Sequence, residues 1–287
     1  MLIKEHTLQY WLDSFYGFGS WEAPVWFVGY EEGGGDLPEE VAEKFDYFYD
    51  LKPSLCDLRD LYQHVAFRVD GPRANLFTTL YDYRFGDHAV LHGIWKNLIA
   101  FAHGCQGREV PDLLDYQKNY FTRTSEALIA LYPLPSPHNH AWYYSWLDLP
   151  QKGMLKTRKL YEEQVYPERI QTILKRIQEH APKVVLMYGM NNINQLKESV
   201  QDFFSHAKFT MVKGIKHEIP QHHRTEIGGT TLIITTQIPA LKHNRADSGF
   251  DWAGLGEVLR QYRHYKLANL AVFLVYFLFC IFGLATP

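Results

Sequence analysis

Four apolar runs constrain this chain more than any other feature: PVWFVG at 24–29, EALIAL at 126–131, KVVLMY at 183–188 and TTLIITT at 230–236. None alternates polar and apolar residues as a half-solvated strand does, so each reads as a strand buried on both faces. Helical patterns lie between them at Leu8 to Phe15, Ala89 to His103, Tyr161 to His180, Ile193 to Phe204 and Trp252 to Tyr262. In the longest, Val165, Ile170, Ile173, Leu174 and Ile177 recur at helical spacing. Asp36-Leu37-Pro38-Glu39 opens another helix, with Asp36 as cap, Pro38 in the first turn and Glu39 at capping-box spacing; Val41, Phe45 and Phe48 form its inner face. Phe209 to Val212 is a further candidate strand. Strands alternating with helices predict an α/β fold, a three-layer α/β/α sandwich with a central, mainly parallel four-stranded sheet. Residues 1–265 form one domain in this reading, with a helical insertion at about 51–120.

In a parallel sheet the strand C-terminal ends share one edge, where ligands bind. The four exits expected to meet there are EEGGG (31–35), PLPSP (133–137), GMNN (189–192) and QIPALKHNR (237–245). The first is the most unusual: two adjacent carboxylates at a buried strand end are costly without a partner or a reaction, and three glycines give up backbone entropy.

The three cysteines, Cys56, Cys105 and Cys280, are too few and too far apart for a disulfide framework or a four-thiolate metal site, and a reducing, cytoplasmic setting is expected. The N-terminal MLIKEHTLQYW lacks the apolar run of a signal peptide, in line with that expectation. Neither GxxxxGK[ST] nor GxGxxG occurs, which disfavours a nucleotide-cofactor fold, and no cofactor is expected; no Gly-x-Ser-x-Gly elbow or His-Glu-x-x-His pair points to a serine hydrolase or zinc protease. His217, His222 and His223 in KHEIPQHHR fit no ligand spacing and read as a surface hairpin, so no metal site is expected.

Net charge is −3, but residues 1–150 hold 11 basic and 21 acidic side chains while 151–287 hold 18 and 11. A basic C-terminal half suits either a polyanion or a solvated surface. Leu267 to Ala285 is apolar apart from Asn269 and follows Arg260, Arg263, His264 and Lys266. The segment 266–287 therefore reads either as a membrane anchor, through which 267–285 would tether the protein, or as a helix buried against the body.

With these residues in place the pattern resembles the uracil-DNA glycosylase superfamily. Gly29-Tyr30-Glu31-Glu32-Gly33 fills the five positions that relatives occupy with GQDPY, GINPG or GEAPG, and Ile238-Pro239-Ala240 stands where they carry HPS, HPA or NPS. The order of elements is similar over roughly residues 20–262. The resemblance implies a uracil-DNA glycosylase-like domain that flips a base out of DNA, duplex or single-stranded, and hydrolyses its N-glycosidic bond. Two departures stand out: Glu32 replaces Pro, and Ile238 replaces the His or Asn that faces the departing base, so Gln237, His243 or Asn244 would have to supply a donor. They turn the expectation from uracil toward a damaged or modified base, such as a modified pyrimidine of phage DNA.

The chemistry asks for a negative group beside an oxocarbenium-like sugar and an aligned water. Glu31 is the candidate for that work, with Glu32 positioning it, reading the base edge or sharing a proton. Both can equally cap the following helix or pair with Lys or Arg. Gly29, Tyr30, Gly33, Tyr132, Pro133, Ser136 and Gln237 are expected around the base, and backbone N–H groups of Gly33 to Gly35 can approach a phosphate or carbonyl. Tyr30, Phe48 and Tyr132 can stack on a base or simply fill the core. His138 and His140 follow the proline run. Pro239, Leu241, Lys242, His243, Asn244 and Arg245 are expected to contact DNA, Leu241 as a wedge. No lysine lies in the first loop to form a Schiff base, which favours hydrolysis without strand cleavage. Two other functions fit the same residues, a non-catalytic nucleic-acid-binding module and a hydrolase of free nucleosides or nucleotides.

Overall fold

The computed structural model describes residues 2–123, 125–136, 142–240, 249–263 and 265. The hydrophobic segment 267–285, Cys280 and residues 241–248 lie outside them; among the described residues no helix is long and apolar enough to cross a membrane.

The chain forms one mixed sheet of seven strands, not four. In chain order these are β1 (Gly17–Phe18), β2 (Val25–Glu31), β3 (Glu126–Tyr132), β4 (Val184–Met187), β5 (Thr210–Val212), β6 (His222–Ile227) and β7 (Thr230–Ile234). They lie in the order β1-β3-β2-β4-β7-β6-β5. β3, β2, β4 and β7 run parallel; β1 pairs antiparallel with β3, and β6 and β5 extend the other edge antiparallel. The two strands not foreseen have physical reasons to escape a hydrophobic pattern. β1 is two residues long, and β6, HHRTEI, is polar because only His222, Thr225 and Ile227 of its six side chains are buried. A two-residue Gly228-Gly229 loop joins β6 to β7, a tight hairpin connection.

Helices α1 (Glu5–Ser14), α2 (Pro38–Leu51), α3 (Leu58–Arg68), α4 (Ala74–Phe85), α5 (Trp95–Gln106), α6 (Leu113–Asn119), α7 (Lys152–Leu155), α8 (Arg158–His180) and α9 (Ile193–Phe203) surround the sheet, and 252–263 is also helical. Successive strand residues point to opposite faces. Phe27 meets Phe101 of α5 at 5.8 Å between ring centroids, and its neighbour Trp26 meets His180 at the end of α8 at 6.2 Å, so helices cover both faces. The insertion at 51–120 holds α3 to α6.

The start of α2 differs from expectation. Its cap is Leu37, without a side-chain hydrogen bond, and Glu39 turns away to Arg73. Glu40 instead reaches back to accept the N–H groups of Gly35 at 3.0 Å and Asp36 at 3.2 Å. From the first turn of α2 its carboxylate thus ties the helix start back to the backbone of the loop that precedes it.

One buried cation fixes α8 to the sheet. Arg169, 3 % exposed, donates to the backbone carbonyls of Leu131 (3.1 Å), Ala130 (2.7 Å) and Phe15 (2.8 Å), and its guanidinium lies 3.6 Å from the centroid of the Tyr16 ring. It therefore joins α8, β3 and the end of α1 at one point. Arg169→Leu strips the donor from three buried carbonyls, and we expect a stability loss of roughly 3 kcal/mol, read as a lower urea midpoint at unchanged slope. An unchanged midpoint would show that Arg169 is not the anchor.

Candidate active site

A cavity of about 390 Å³ opens at the C-terminal ends of the parallel strands. Each of the four exits contributes to its wall: Gly29 to Gly33 at the end of β2 and just past it, Ser136 after β3, Tyr188 and Gly189 after β4, and Ile238 after β7. The loops are tied directly to one another, Ser136 N–H to Glu32 O at 3.1 Å and Gly189 N–H to Gln237 O at 3.1 Å. The insertion closes the opposite side with Leu58, Tyr62, His92 and Trp95.

Glu31 ends β2, and its side chain is 9 % exposed. Arg158, the first residue of α8, donates to it at 2.5 Å through Nη1 and to Ser136 Oγ at 2.6 Å through Nη2. The same guanidinium lies 3.8 Å from Glu162 and 5.3 Å from the centroid of Trp142. Burial pushes the Glu31 carboxyl above the ordinary range, and Arg158 offsets only part of this. Tyr30 packs on Tyr132 at 4.8 Å, and burial with a hydrogen bond to Glu162 holds its phenol protonated.

Glu32 enters a second network, facing Lys44 of α2. Lys44 is 2 % exposed and sits 2.8 Å from Glu32 and 2.9 Å from Glu40. Burial works against its charge, but the two carboxylates outweigh it, and the ammonium is held well above its usual range. Burial likewise opposes ionisation of Glu40, yet Lys44 and the Gly35 and Asp36 N–H groups lower it below the ordinary value. Glu32 lacks those N–H donors, so burial dominates and raises it. Its Oε2 is buried without a hydrogen-bond partner.

The glycines serve this network. Gly34 has φ of +97°, and a Cβ there would come within 2.7 Å of Glu40 Oε1; Gly35 has φ of +76°, and a Cβ would meet Pro135 O at 2.9 Å. The close approach is therefore to the protein's own carboxylate and to the β3 exit. The Gly35 N–H, expected to face a ligand, is spent on Glu40.

Of the residues expected in the site, Gly29, Tyr30, Glu31, Glu32, Gly33 and Ser136 line the cavity. Four expected with them do not. Tyr132 is 3 % exposed behind Tyr30, Pro133 gives its carbonyl to Trp11 Nε1 at 2.7 Å, Gln237 gives its carbonyl to Gly189, and Pro239 gives its carbonyl to Asn97 at 2.9 Å. Phe48 is fully buried among Trp11, Phe15 and Tyr10, a core residue rather than a stacking surface. Leu241, Lys242, His243, Asn244 and Arg245 lie outside the described residues, as do His138 and His140.

Arg158, Lys44, His92, Tyr62 and Trp95 were not foreseen. Lys44 left a trace, since it shares the stripe of Val41, Phe45 and Phe48 that faces inward on α2. His92 accepts the Trp95 N–H through Nδ1 at 3.3 Å, and burial with nearby Arg84 lowers it to about 4, so its ring is neutral at neutral pH. Among the described residues no group of His, Cys, Asp or Glu could hold a metal ion. No family model, curated protein or solved structure matches the chain.

Lys44→Met leaves two buried carboxylates facing each other, and a loss of about 3–5 kcal/mol is expected in chemical denaturation. Adding Glu32→Gln should restore part of it. Equal stability of wild type and Lys44→Met would remove the network from any structural role.

Proposed function

We propose that the chain is a hydrolase of N-glycosidic bonds that acts on a damaged or modified base in DNA, flips it into the sheet-edge cavity and leaves an abasic site. The observation that carries this reading is the position of Glu31: a carboxylate at the end of a buried strand, held by Arg158, whose other nitrogen donates to Ser136, in the wall of a cavity large enough for a base. Cleavage builds positive charge on the sugar, and a carboxylate held in place by Arg158 stabilises that charge without reorganising. The carboxylate also accepts a proton from an attacking water. Arg158 positions Glu31, and Lys44 supports the loop that carries it. Buried Lys44 is held as an ammonium, so it supplies no amine for a Schiff base, in keeping with hydrolysis alone.

Two features support a nucleic-acid substrate. Trp146 is 80 % exposed, 6.0 Å from Tyr143, on the connection from β3 to α8, an aromatic surface on which a base can stack. The basic residues Lys242 and Arg245 follow the β7 exit in sequence. A second reading, a binding module without catalysis, draws on the cation partners of both glutamates, which also fit a purely structural role.

Glu31→Gln should lower base release by about 10²–10⁴-fold while DNA binding persists. The active form is the carboxylate, and its pKa is raised, so activity falls with decreasing pH at a point above the 4.5 of an ordinary glutamate. Arg158→Gln removes the group that lowers this pKa and should move the acid limb to higher pH. Retained activity in Glu31→Gln, or salt-sensitive binding with no abasic sites from any modified DNA, would favour the binding module. Trp146→Ala should weaken single-strand binding by about 1–3 kcal/mol in a fluorescence titration, and an unchanged affinity would exclude it as a stacking surface.

A further inference from the structure

The charge of the described cavity wall has one sign. Among the described residues the lining carries two carboxylates, Glu31 and Glu32, and no lysine or arginine. His92 contributes no positive charge near neutral pH. Lys44 and Arg158 stand behind the lining, and each also faces a second carboxylate, Glu40 or Glu162. Glu32 Oε2 has no hydrogen-bond partner, in a side chain only 7 % exposed. Much of the remaining wall is aromatic, with Phe18, Tyr30, Tyr62 and Trp95. Lys44 and Arg84 lie over Tyr62 and Trp95, each 5.6 Å from the ring centroid, so the attraction left for a ligand comes mainly from Phe18, Tyr30, Tyr188 and the carboxylates.

Carboxylates and aromatic rings around a small cavity attract a delocalised cation and repel an anion. The sign matters for the leaving group. A neutral base departs as an anion and has to be met by a donor or a positive charge. At the β7 exit the wall presents the hydrocarbon side chain of Ile238. A base that is already cationic departs as a neutral heterocycle and needs neither.

We infer that the cavity takes an N-glycoside whose base is a delocalised cation, of the N-alkylpurine or pyridinium class, an inference that rests on the N-glycosidase reading. The C1′–N bond breaks with its electron pair going to the ring nitrogen, which cancels the positive charge of the base. A water oxygen bonds to C1′ and passes its proton to Glu31 and then to solvent. Cationic glycoside and water thus give sugar, neutral base and one proton.

The test offers the full-length protein an oligodeoxynucleotide with a single N7-methylguanine, matched oligonucleotides with uracil or hypoxanthine, and free nicotinamide riboside. Release from at least one cationic substrate is expected at about 10²-fold or more over its spontaneous rate, with the neutral bases far slower. Cleavage of the oligonucleotide alone identifies a base in DNA as the source, and cleavage of the riboside alone a free nucleoside. Release of uracil or hypoxanthine with none from either cationic substrate overturns the charge inference and leaves the glycosidase standing. Release from none overturns both. Binding gives an independent reading on unmodified protein: the N-methylnicotinamide cation should bind at least about tenfold more tightly than neutral nicotinamide by calorimetry. Equal affinity overturns the inference. In Glu32→Gln the preference should shrink.

Discussion

Lys44 has almost no contact with water, yet it keeps its charge because Glu32 and Glu40 close on it from two directions. Much of the sheet edge depends on that arrangement. A buried ammonium without partners would cost several kcal/mol, so the strand end bearing Glu32 and the helix turn bearing Glu40 cannot drift apart. The chain between them has only a few residues in which to turn back, and Gly34 and Gly35 supply the backbone angles. The same geometry delivers the Gly35 N–H to Glu40 and the Glu32 carbonyl to Ser136. A desolvated charge thus sets the shape of the first loop and, through it, the distance between the first two strand exits.

The adjacent glutamates lead separate lives because the chain curls at the end of β2. Glu31 goes to Arg158 on α8, and Glu32 goes to Lys44 on α2. One cation is partly accessible and joins the β3 exit through Ser136; the other is sealed in. Both line the cavity, but two carboxyl groups of one type acquire different tasks from their surroundings, one fixed by a partly accessible cation and one tied into the buried network that shapes the loop.

The parallel heart of the sheet was legible because VWFVG, EALIAL, VVLM and TLII are apolar without alternation, a pattern that only double-sided burial explains. The edges were legible only in part. The outermost β5 falls within the expected strand Phe209 to Val212, whereas Gly17–Phe18 is too short to carry a period and HHRTEI, on a strand only partly covered, is polar but for Ile227. In the site, EEGGG announced itself through the cost of two like charges, and its neighbours across the sheet edge followed from strand polarity. Arg158 sits at the start of a long helix among ordinary charged residues, and nothing in its spacing says that it turns toward Glu31, 127 positions away. His92, Tyr62 and Trp95 belong to an insertion whose docking onto the edge is a tertiary fact. Pro133, Gln237 and Pro239 were placed at the site by proximity in sequence, but their carbonyls are drawn into structural hydrogen bonds instead.

Helix α8 carries a proline at position 167, between the anchor at Arg169 and the turns that bear Arg158 and Glu162. Proline has no N–H to give, so the backbone bond to Glu163 is missing at that level. Mechanically the helix is two rods in series, each with its own clamp: Arg169 pins the later one to three carbonyls, and on the earlier one Tyr161, 1 % exposed, accepts the Leu134 N–H at 2.9 Å. The missing bond at Pro167 falls between two points fixed to the β3 end, so the arm that holds the carboxylate is braced on both sides of its weakest backbone level.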